Sequence, residues 1–277
     1  AFSTAKSEAK ACFGDDSMYI EKLVINPKHI EFQILADNAG NIIHLGERDC
    51  SIQRKNQKLL EESPSKALTK EKRSEMGAVA VKAARAAKYT GAGTVEFILD
   101  NDKYYFIEMN TRIQVEHPVT EMLTGTDLIR DQIRIAAGLA LDYKQEDIKF
   151  SGHAIECRIN AENPSHDFMP SSGKINFVHF PGGNGTRVDS AIYSGYETSP
   201  FFDSMLAKII VLAPTRLEAI RKMRRALEEM VVEGIDTNIE LQHLIMFDPD
   251  FVKGSYNTGF IEKNLESLLK VTATFDK

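Results

Sequence analysis

Five polar residues recur at every second position in one short segment: Glu108, Asn110, Arg112, Gln114 and Glu116. In an extended chain alternate side chains share a face, so two acids, two amides and a guanidinium would project together. Such a mixed set suits metal, phosphate and small-anion chemistry. An ordinary solvated strand face is the alternative interpretation, because alternation alone also predicts that.

A hairpin would bring a second acid to this face. Residues 95–99 and 104–107 are apolar runs around a polar turn. If Asp100 faces Tyr104, continued pairing sets Glu96 opposite Glu108, with Cβ atoms about 5 Å apart. Two bare carboxylates would repel there, so we expect Mg²⁺ or Mn²⁺ between them, with Asn110 as a further ligand. A one-residue slip would instead separate the acids.

Two further segments carry candidate anion contacts. Arg54, Asn56 and Lys58 would share one side of an extended chain and could hold phosphate or carboxylate oxygens. A solvated basic loop is the alternative. Further along, Glu156, Arg158 and Asn160 alternate with apolar residues, a pattern that by itself more often indicates a surface ion pair.

The elements that must position these residues follow from apolar periodicity and turn signals. Strands are predicted at residues 18–24, 29–36, 41–45, 95–99, 104–107, 153–159, 174–180, 186–189 and 206–212. Helices are predicted at residues 3–12, 69–88, 127–137 and 259–269, and capping boxes at Thr215/Glu218 and Thr237/Glu240 begin two more. This order predicts an α+β fold with antiparallel sheet and flanking helices.

Neither glycine cluster has the form of a phosphate loop. Residues 91–93 follow a helix and are interpreted as its stop, whereas residues 181–185 join two strands and are interpreted as a hairpin turn. Neither matches GxxxxGK[ST]. We therefore predict metal ligands without a phosphate-cradling loop.

Composition excludes several classes of protein. The chain has 277 residues, 43% of them hydrophobic, and a net charge of −6, which argues against a nucleic-acid binder. No apolar run is long enough for a transmembrane helix. Three separated cysteines predict reduced thiols in a cytoplasm rather than a disulfide framework or zinc site.

These motifs together resemble biotin carboxylase, the ATP-grasp component of acetyl-CoA carboxylase and related biotin enzymes. The resemblance covers about residues 5–265 and rests on ERDCS at 47–51, Gln53, QK at 57–58, GAGTVEF at 91–97, the segment 106–121 and GHAIECRINAE at 152–162. It implies the C-terminal half of an ATP-grasp fold plus the biotin carboxylase C-terminal region. Residues 1–22 would be a remnant of the ATP lid (B) domain, 23–145 the active-site half, and 150–265 the C-terminal region packed on it as one C domain. The N-terminal domain and most of the lid would be absent.

The resemblance also implies roles for single residues. Metal ligands would be Glu96, Glu108 and Asn110, and ATP contacts would be Glu21, Lys22, Leu23, His29, Gln53, Asn56, Lys58, Glu96, Ile98 and Glu108. Bicarbonate and biotin would meet Lys58, Arg112, Gln114, Val115 and Arg158, with Glu116 as the base that deprotonates bicarbonate and Arg158 steadying the biotin enolate. Asn56 departs from the family, which often has His there for the ribose contact.

The implied reaction is ATP- and bicarbonate-dependent carboxylation of biotin on its carrier protein through carboxyphosphate, the first step of acetyl-CoA carboxylation in fatty acid synthesis. The implied partners are biotin carboxyl carrier protein, carboxyltransferase subunits and a second copy in a homodimer; neither nucleic acid nor membrane is expected. Alone, the chain is expected to be inactive. The alternatives are a pyruvate or propionyl-CoA type of carboxylase, another ATP-grasp ligase, or a non-catalytic assembly or dimerisation fragment.

Overall fold

The computed structural model describes the backbone of residues 1–275 and the side chains of residues 1–271. One eight-stranded antiparallel sheet contains β1 (Lys28–Ala36), β2 (Ile42–Arg54), β3 (Gln57–Ser63), β4 (Gly91–Asp100), β5 (Lys103–Asn110), β6 (His153–Asn160), β11 (Thr186–Ser190) and β13 (Met205–Ala213). Short two-stranded sheets pair β7 (Glu162–Asn163) with β8 (Met169–Pro170), β9 (Gly173–Lys174) with β12 (Glu197–Thr198), and β10 (Phe177–His179) with β14 (Val231–Glu233). Across the large sheet the strand order is β11-β13-β6-β3-β2-β1-β4-β5.

Helices cover both faces of this sheet. The helices of the described residues are α1 (Phe2–Phe13), α2 (Lys70–Ala86), α3 (His117–Thr124), α4 (Leu128–Ala136), α5 (Arg216–Glu229), α6 (Ile239–Ile245), α7 (Pro249–Lys253) and α8 (Phe260–Phe275). Helix α1 has no buried residue and is not one of the helices that cover the sheet. The predicted α+β class is therefore confirmed. No helix among the described residues is long and apolar enough to cross a bilayer.

Apolar cores lie on both faces of the sheet. On one face, Met76 and Ala80 of α2 pack on Phe32 and Phe97, and a larger core joins β3, β6 and β13 to the helices after residue 215. On the other face, α4 packs on Leu35 of β1. Because β1 lies in the interior of the sheet, its side chains are nearly all buried rather than alternating.

The first of the two predicted helix caps is confirmed. The Thr215 hydroxyl group accepts from the Glu218 N–H group at the start of α5. Thr69, which was not predicted as a cap, accepts in the same way from the Lys72 N–H group at the start of α2. The second capping box is wrong, since α6 begins one residue later with Asn238 at its N-cap and without a side-chain cap.

Several local predictions are also wrong. Residues 18–24 form no strand, because no other strand pairs with them and Tyr19, Ile20 and Leu23 remain exposed. The strand predicted at 174–180 is divided between β9 and β10, which pair with different partners. Residues 181–185 consequently join strands of different sheets and are not a hairpin turn.

The glycine cluster at 91–93 belongs to β4, since α2 already ends at Ala86. A Cβ atom on Gly93 would lie 2.7 Å from the Tyr89 ring and 3.1 Å from the Asn110 carbonyl oxygen. Glycine is therefore required there by the close approach of β4 to β5, and not by a helix end.

Candidate active site

The predicted acid pair is present, although its register arises differently. Asp100 pairs with Lys103 rather than Tyr104, which would displace every later pair by one residue. A bulge between Glu96 and Phe97 restores the register, so that Glu96 does lie opposite Glu108. The predicted pairing of Glu96 with Glu108 is therefore confirmed, whereas the predicted pairing of Asp100 with Tyr104 at the turn is wrong.

Asn110 joins the two acids. Its Nδ2 atom lies 3.0 Å from Glu96 Oε1 and 3.1 Å from Glu108 Oε1. Glu96 is buried whereas Glu108 is exposed. Burial alone would raise the pKa of Glu96, but hydrogen bonding to His29 and the charge of Lys58 outweigh it and lower the pKa to about 2.

The alternation stops at Asn110, where β5 ends, so the five polar residues do not share one strand face as predicted. Arg112 lies in the following loop, is exposed, and donates to the Ile113 carbonyl oxygen at 3.2 Å. Gln114 and Glu116, by contrast, are buried. A loop ending at the N-cap of α3, and not a strand, therefore brings these groups back towards Glu96.

Lys58 is the centre of the buried charge cluster. Its Nζ atom lies 2.5 Å from Glu31 Oε2, 3.1 Å from Glu96 Oε1 and 2.6 Å from Glu116 Oε1. Burial opposes the charge on Lys58, but the surrounding carboxylates outweigh it and raise the pKa of the ammonium group. Lys58 is therefore held protonated next to Glu116.

Arg158 contacts the other side of Glu116. Its Nη2 atom lies 2.9 Å from Glu116 Oε2, and its Nε donates to Glu61 Oε1 at 2.7 Å. The Arg158 side chain is only 15% exposed, so the alternative of a surface ion pair is wrong. Glu116 is thus a carboxylate whose two oxygens each meet a fixed cation.

The segment around Arg54 is not extended as predicted. Lys55 and Asn56 form the turn between β2 and β3, with φ of 48° and 65°. Arg54 is directed away to Asp167, at 2.6 Å, and stacks over the Phe168 ring. Only Asn56 and Lys58 of this trio face the cavity described next.

One cavity of about 790 Å³ collects nearly all the predicted site residues. Those lining it are Glu21, His29, Gln53, Asn56, Lys58, Glu96, Ile98, Glu108, Asn110, Arg112, Gln114, Val115, Glu116 and Arg158. Lys22 and Leu23 do not line it: Lys22 lies over the Tyr105 ring, and Leu23 is 83% exposed. The role assigned to each residue stays a prediction.

Sequence reasoning missed the buried charges behind the cavity. Glu31, Arg48 and Glu61 are fully buried, as is Glu156 of β6, for which the sequence pattern alone indicated a surface position. Lys208 of β13 fixes the site from another side, since its Nζ donates to the Val115 carbonyl oxygen at 2.8 Å. A charged residue inside an otherwise apolar central strand could have revealed them. Charged residues are rarely buried unless paired, so such a position indicates a buried partner of opposite charge.

Two groups of close ligand atoms exist within the described residues, namely His29, Glu31 and Glu96, and Glu31, Cys50 and Glu116. Both depend on Glu31, whose oxygens already accept from Arg48 and Lys58. Protein cations therefore neutralise both oxygens of Glu31. Glu96 also accepts from Lys58, whereas Glu108 contacts no cation among the described residues, and the set Glu96, Glu108 and Asn110 stays the prediction for the metal ligands.

Two protein families match consecutive parts of the chain. Residues 1–144 match the family described as "Carbamoyl-phosphate synthase L chain, ATP binding domain". Residues 156–263 match "Biotin carboxylase C-terminal domain". The chain belongs to the biotin carboxylase family, which confirms the resemblance predicted from its motifs.

Individual relatives are similar along almost the whole chain. Biotin carboxylase 1 of Bacillus subtilis is 60% identical over 259 residues, which are 93% of this chain and 58% of that protein. A pyruvate carboxylase subunit of Methanothermobacter thermautotrophicus is 52% identical over 263 residues, 95% of this chain and 54% of that protein. The chain thus spans little more than half the length of these relatives.

A solved structure shows the same fold. The biotin carboxylase domain dimer of Hydrogenobacter thermophilus 2-oxoglutarate carboxylase superposes with a TM-score of 0.93 at 53% identity. It covers 96% of this chain, and the match is 59% of that chain. That protein was crystallised with MgADP, ADP and bicarbonate.

Proposed function

We propose that this chain forms the bicarbonate-activating floor of a biotin carboxylase, which uses ATP and bicarbonate to carboxylate biotin on a carrier protein. The observation that carries the proposal is the position of Glu116 between Lys58 Nζ, at 2.6 Å, and Arg158 Nη2, at 2.9 Å. Two fixed cations around one buried carboxylate suit the capture of a small anion and the transfer of its proton.

Glu116 would accept the proton of bicarbonate, and a bicarbonate oxygen would then attack the γ-phosphorus of ATP. The new bond joins that oxygen to phosphorus, the bond to the bridging oxygen breaks, and ADP leaves. Carboxyphosphate then yields CO₂ and phosphate, and the phosphate oxygen freed by that cleavage takes the ureido N–H proton of biotin. Arg112, Gln114 and the backbone of Val115 would hold bicarbonate, while Arg158 would stabilise the biotin enolate that receives CO₂.

Glu96, Glu108 and Asn110 would hold Mg²⁺ or Mn²⁺. Their fit is supported by the convergence of both carboxylates on the Asn110 amide, whose oxygen replaces its nitrogen after a simple flip. Oxygen donors of this kind suit a hard divalent cation. Such a cation, when bound, offsets charge on the phosphoryl group being transferred.

The remaining lining residues would receive the nucleotide. His29, Gln53, Asn56 and Ile98 lie along the cavity together with Glu21, and we assign Lys22 and Leu23 to the same contact through their backbone. The bound MgADP of the Hydrogenobacter thermophilus domain supports ATP as the substrate, and its bicarbonate supports the anion.

The partners follow from the same assignment. A biotin carboxyl carrier protein would deliver biotin, carboxyltransferase subunits would take the carboxyl group onward, and the dimer of the Hydrogenobacter thermophilus domain supports a homodimer. We favour acetyl-CoA carboxylation, hence fatty acid synthesis, over a pyruvate or propionyl-CoA acceptor. Two relatives carry pyruvate carboxylase and 2-oxoglutarate carboxylase names, which support a keto-acid acceptor as the alternative.

The test uses a chimera in which this chain replaces the matched region of Bacillus subtilis Biotin carboxylase 1. We expect bicarbonate- and biotin-dependent ADP formation, and its loss by about 100-fold or more in Lys58→Met. Lys55→Met is the matched control, since Lys55 is in the adjoining turn and pairs with the exposed Asp167. Activity that requires an amino acid instead of biotin would favour another ATP-grasp ligase.

We also propose that the 277-residue chain alone is inactive, because it spans only 58% of that relative. The measurement is ADP formation by the purified chain under the same conditions. A rate equal to that of the chimera would contradict the proposal.

A further inference from the structure

Arg48 is a fully buried arginine whose five N–H groups all have acceptors. Nε donates to Glu31 at 2.6 Å, Nη1 to Gln33 at 2.7 Å and Thr120 at 3.0 Å, and Nη2 to Thr94 at 3.2 Å and Gln114 at 3.1 Å. A buried guanidinium is tolerated only with such complete pairing. The guanidinium is therefore fixed in one orientation.

Two of these acceptors lead into the cavity. Gln114 Oε1 accepts from Arg48, which leaves the Gln114 amide group to donate to Glu96 Oε1 at 2.9 Å. Arg48 and Glu96 thus select the same orientation of the Gln114 amide, since its oxygen can only accept and its NH₂ group can only donate. Without Arg48, the Gln114 oxygen would lose its buried donor.

The second path runs through Glu31. One oxygen of this buried carboxylate accepts from Arg48, and the other lies 2.5 Å from Lys58 Nζ. The charges of Lys58 and Arg48 lower the pKa of Glu31 to about 2, although its burial acts in the opposite direction. Lys58 in turn contacts Glu116 at 2.6 Å, so two intermediates connect Arg48 to the proposed base.

The neighbouring ion pair of Glu47 and Arg73 contains a largely buried arginine that does not contact the site. Glu47 precedes Arg48 in β2 and faces the opposite side of the sheet, where Arg73 of α2 donates to it at 2.6 Å and 2.8 Å. Arg73 is largely buried as well, but neither residue lines the cavity. Arg73 is therefore the matched control for Arg48.

We propose that Arg48 is a positioning residue for bicarbonate activation, which fixes Gln114 directly and Lys58 through Glu31. The inference rests on the proposed function. It predicts that bicarbonate capture depends on the shape of this guanidinium and not only on its charge, since lysine retains the charge but cannot hold Glu31 and Gln114 in the same fork.

The experiment is steady-state kinetics of the chimera carrying Arg48→Lys. We expect kcat/KM for bicarbonate to fall about 10- to 100-fold, mainly through KM, and KM for ATP to rise by a smaller factor, since Lys58 is an expected contact of both substrates. Arg73→Lys should lower the melting temperature yet leave KM for bicarbonate as it was. Equal effects of the two variants on bicarbonate would overturn the inference.

A milder pair keeps the test decisive if Arg48→Lys does not fold. Thr120→Val removes one acceptor of Arg48, whereas Thr124→Val alters the next turn of α3, where the hydroxyl bonds to the Thr120 carbonyl oxygen. Thr120→Val should raise KM for bicarbonate and Thr124→Val should not. Equal KM values for bicarbonate in the two variants would overturn the role of Arg48 but leave the proposed function standing. A parent chimera without bicarbonate-dependent activity would instead reject the proposed function, and the inference with it.

Discussion

Glu116 is paired with cations, whereas the buried acids Glu156 and Glu61 near it are incompletely hydrogen-bonded within the described structure. It lies between Lys58 and Arg158, whereas Glu156 has no hydrogen-bond partner for either oxygen among the described residues. Burial, then the charge of Glu61, raises the pKa of Glu156 well above 4.5. One Glu61 oxygen is also without a partner in the described part of the chain. The cavity is thus backed by an acid that favours its neutral form.

This arrangement predicts how Glu156→Gln changes stability. Because the folded pKa is raised, the native state binds the proton more tightly, and stability is lost as pH rises from 4.5 towards the folded value. The amide group introduced at position 156 does not titrate, so this loss of stability is removed, and its NH₂ group can donate to Glu61. We expect Glu156→Gln to increase the free energy of unfolding by about 1–2 kcal/mol at pH 8 and by much less at pH 4. Urea denaturation checks this, with exposed Glu146→Gln as control; a variant less stable at pH 8 would contradict it.

At the scale of elements, the β4–β5 hairpin shows how far sequence reasoning reaches. Apolar runs, turn signals and the cap at Thr215 locate most strands and helices because these signals are local. The bulge beside Glu96, the turn at Asn56 and the loop after Asn110 depend on pairing with distant strands, which no local pattern contains. Charged residues such as Arg48 escaped notice because their partners are far along the chain.

The close approach of these two strands gives a prediction for Gly93→Ala. The new methyl group would meet the Tyr89 ring, which is held by its bond to the Ala92 carbonyl oxygen, and the backbone of Asn110. We expect a loss of about 1–3 kcal/mol of stability and weaker Mg²⁺-dependent nucleotide binding, measured by thermal melting and calorimetry. Gly182→Ala, where the methyl group meets no atom within 4 Å, is the control. Unchanged nucleotide binding by a folded Gly93→Ala protein would argue against Asn110 as a ligand.

At the scale of the whole molecule, one sheet unites the two regions matched by different families. β3 pairs with β6, and buried Glu62 of β3 accepts from Arg216 at 2.7 Å, contacts His153 at 2.7 Å and bonds to the Tyr256 hydroxyl group. We therefore expect residues 28–270 to unfold in a single transition. Urea curves followed by far-ultraviolet circular dichroism and tyrosine fluorescence should coincide, and two separated midpoints would contradict this expectation.

The central claim, that the cavity around Glu116 activates bicarbonate for transfer to biotin, is tested most directly by carbon transfer. The chimera is incubated with ATP, Mg²⁺, biotin and ¹⁴C-bicarbonate, and acid-labile label on biotin is measured beside ADP. We predict label on biotin in proportion to ADP, with both lost in Glu116→Gln. Label transfer that persists in Glu116→Gln, or ADP formed by the unaltered chimera without labelled biotin, would contradict the account.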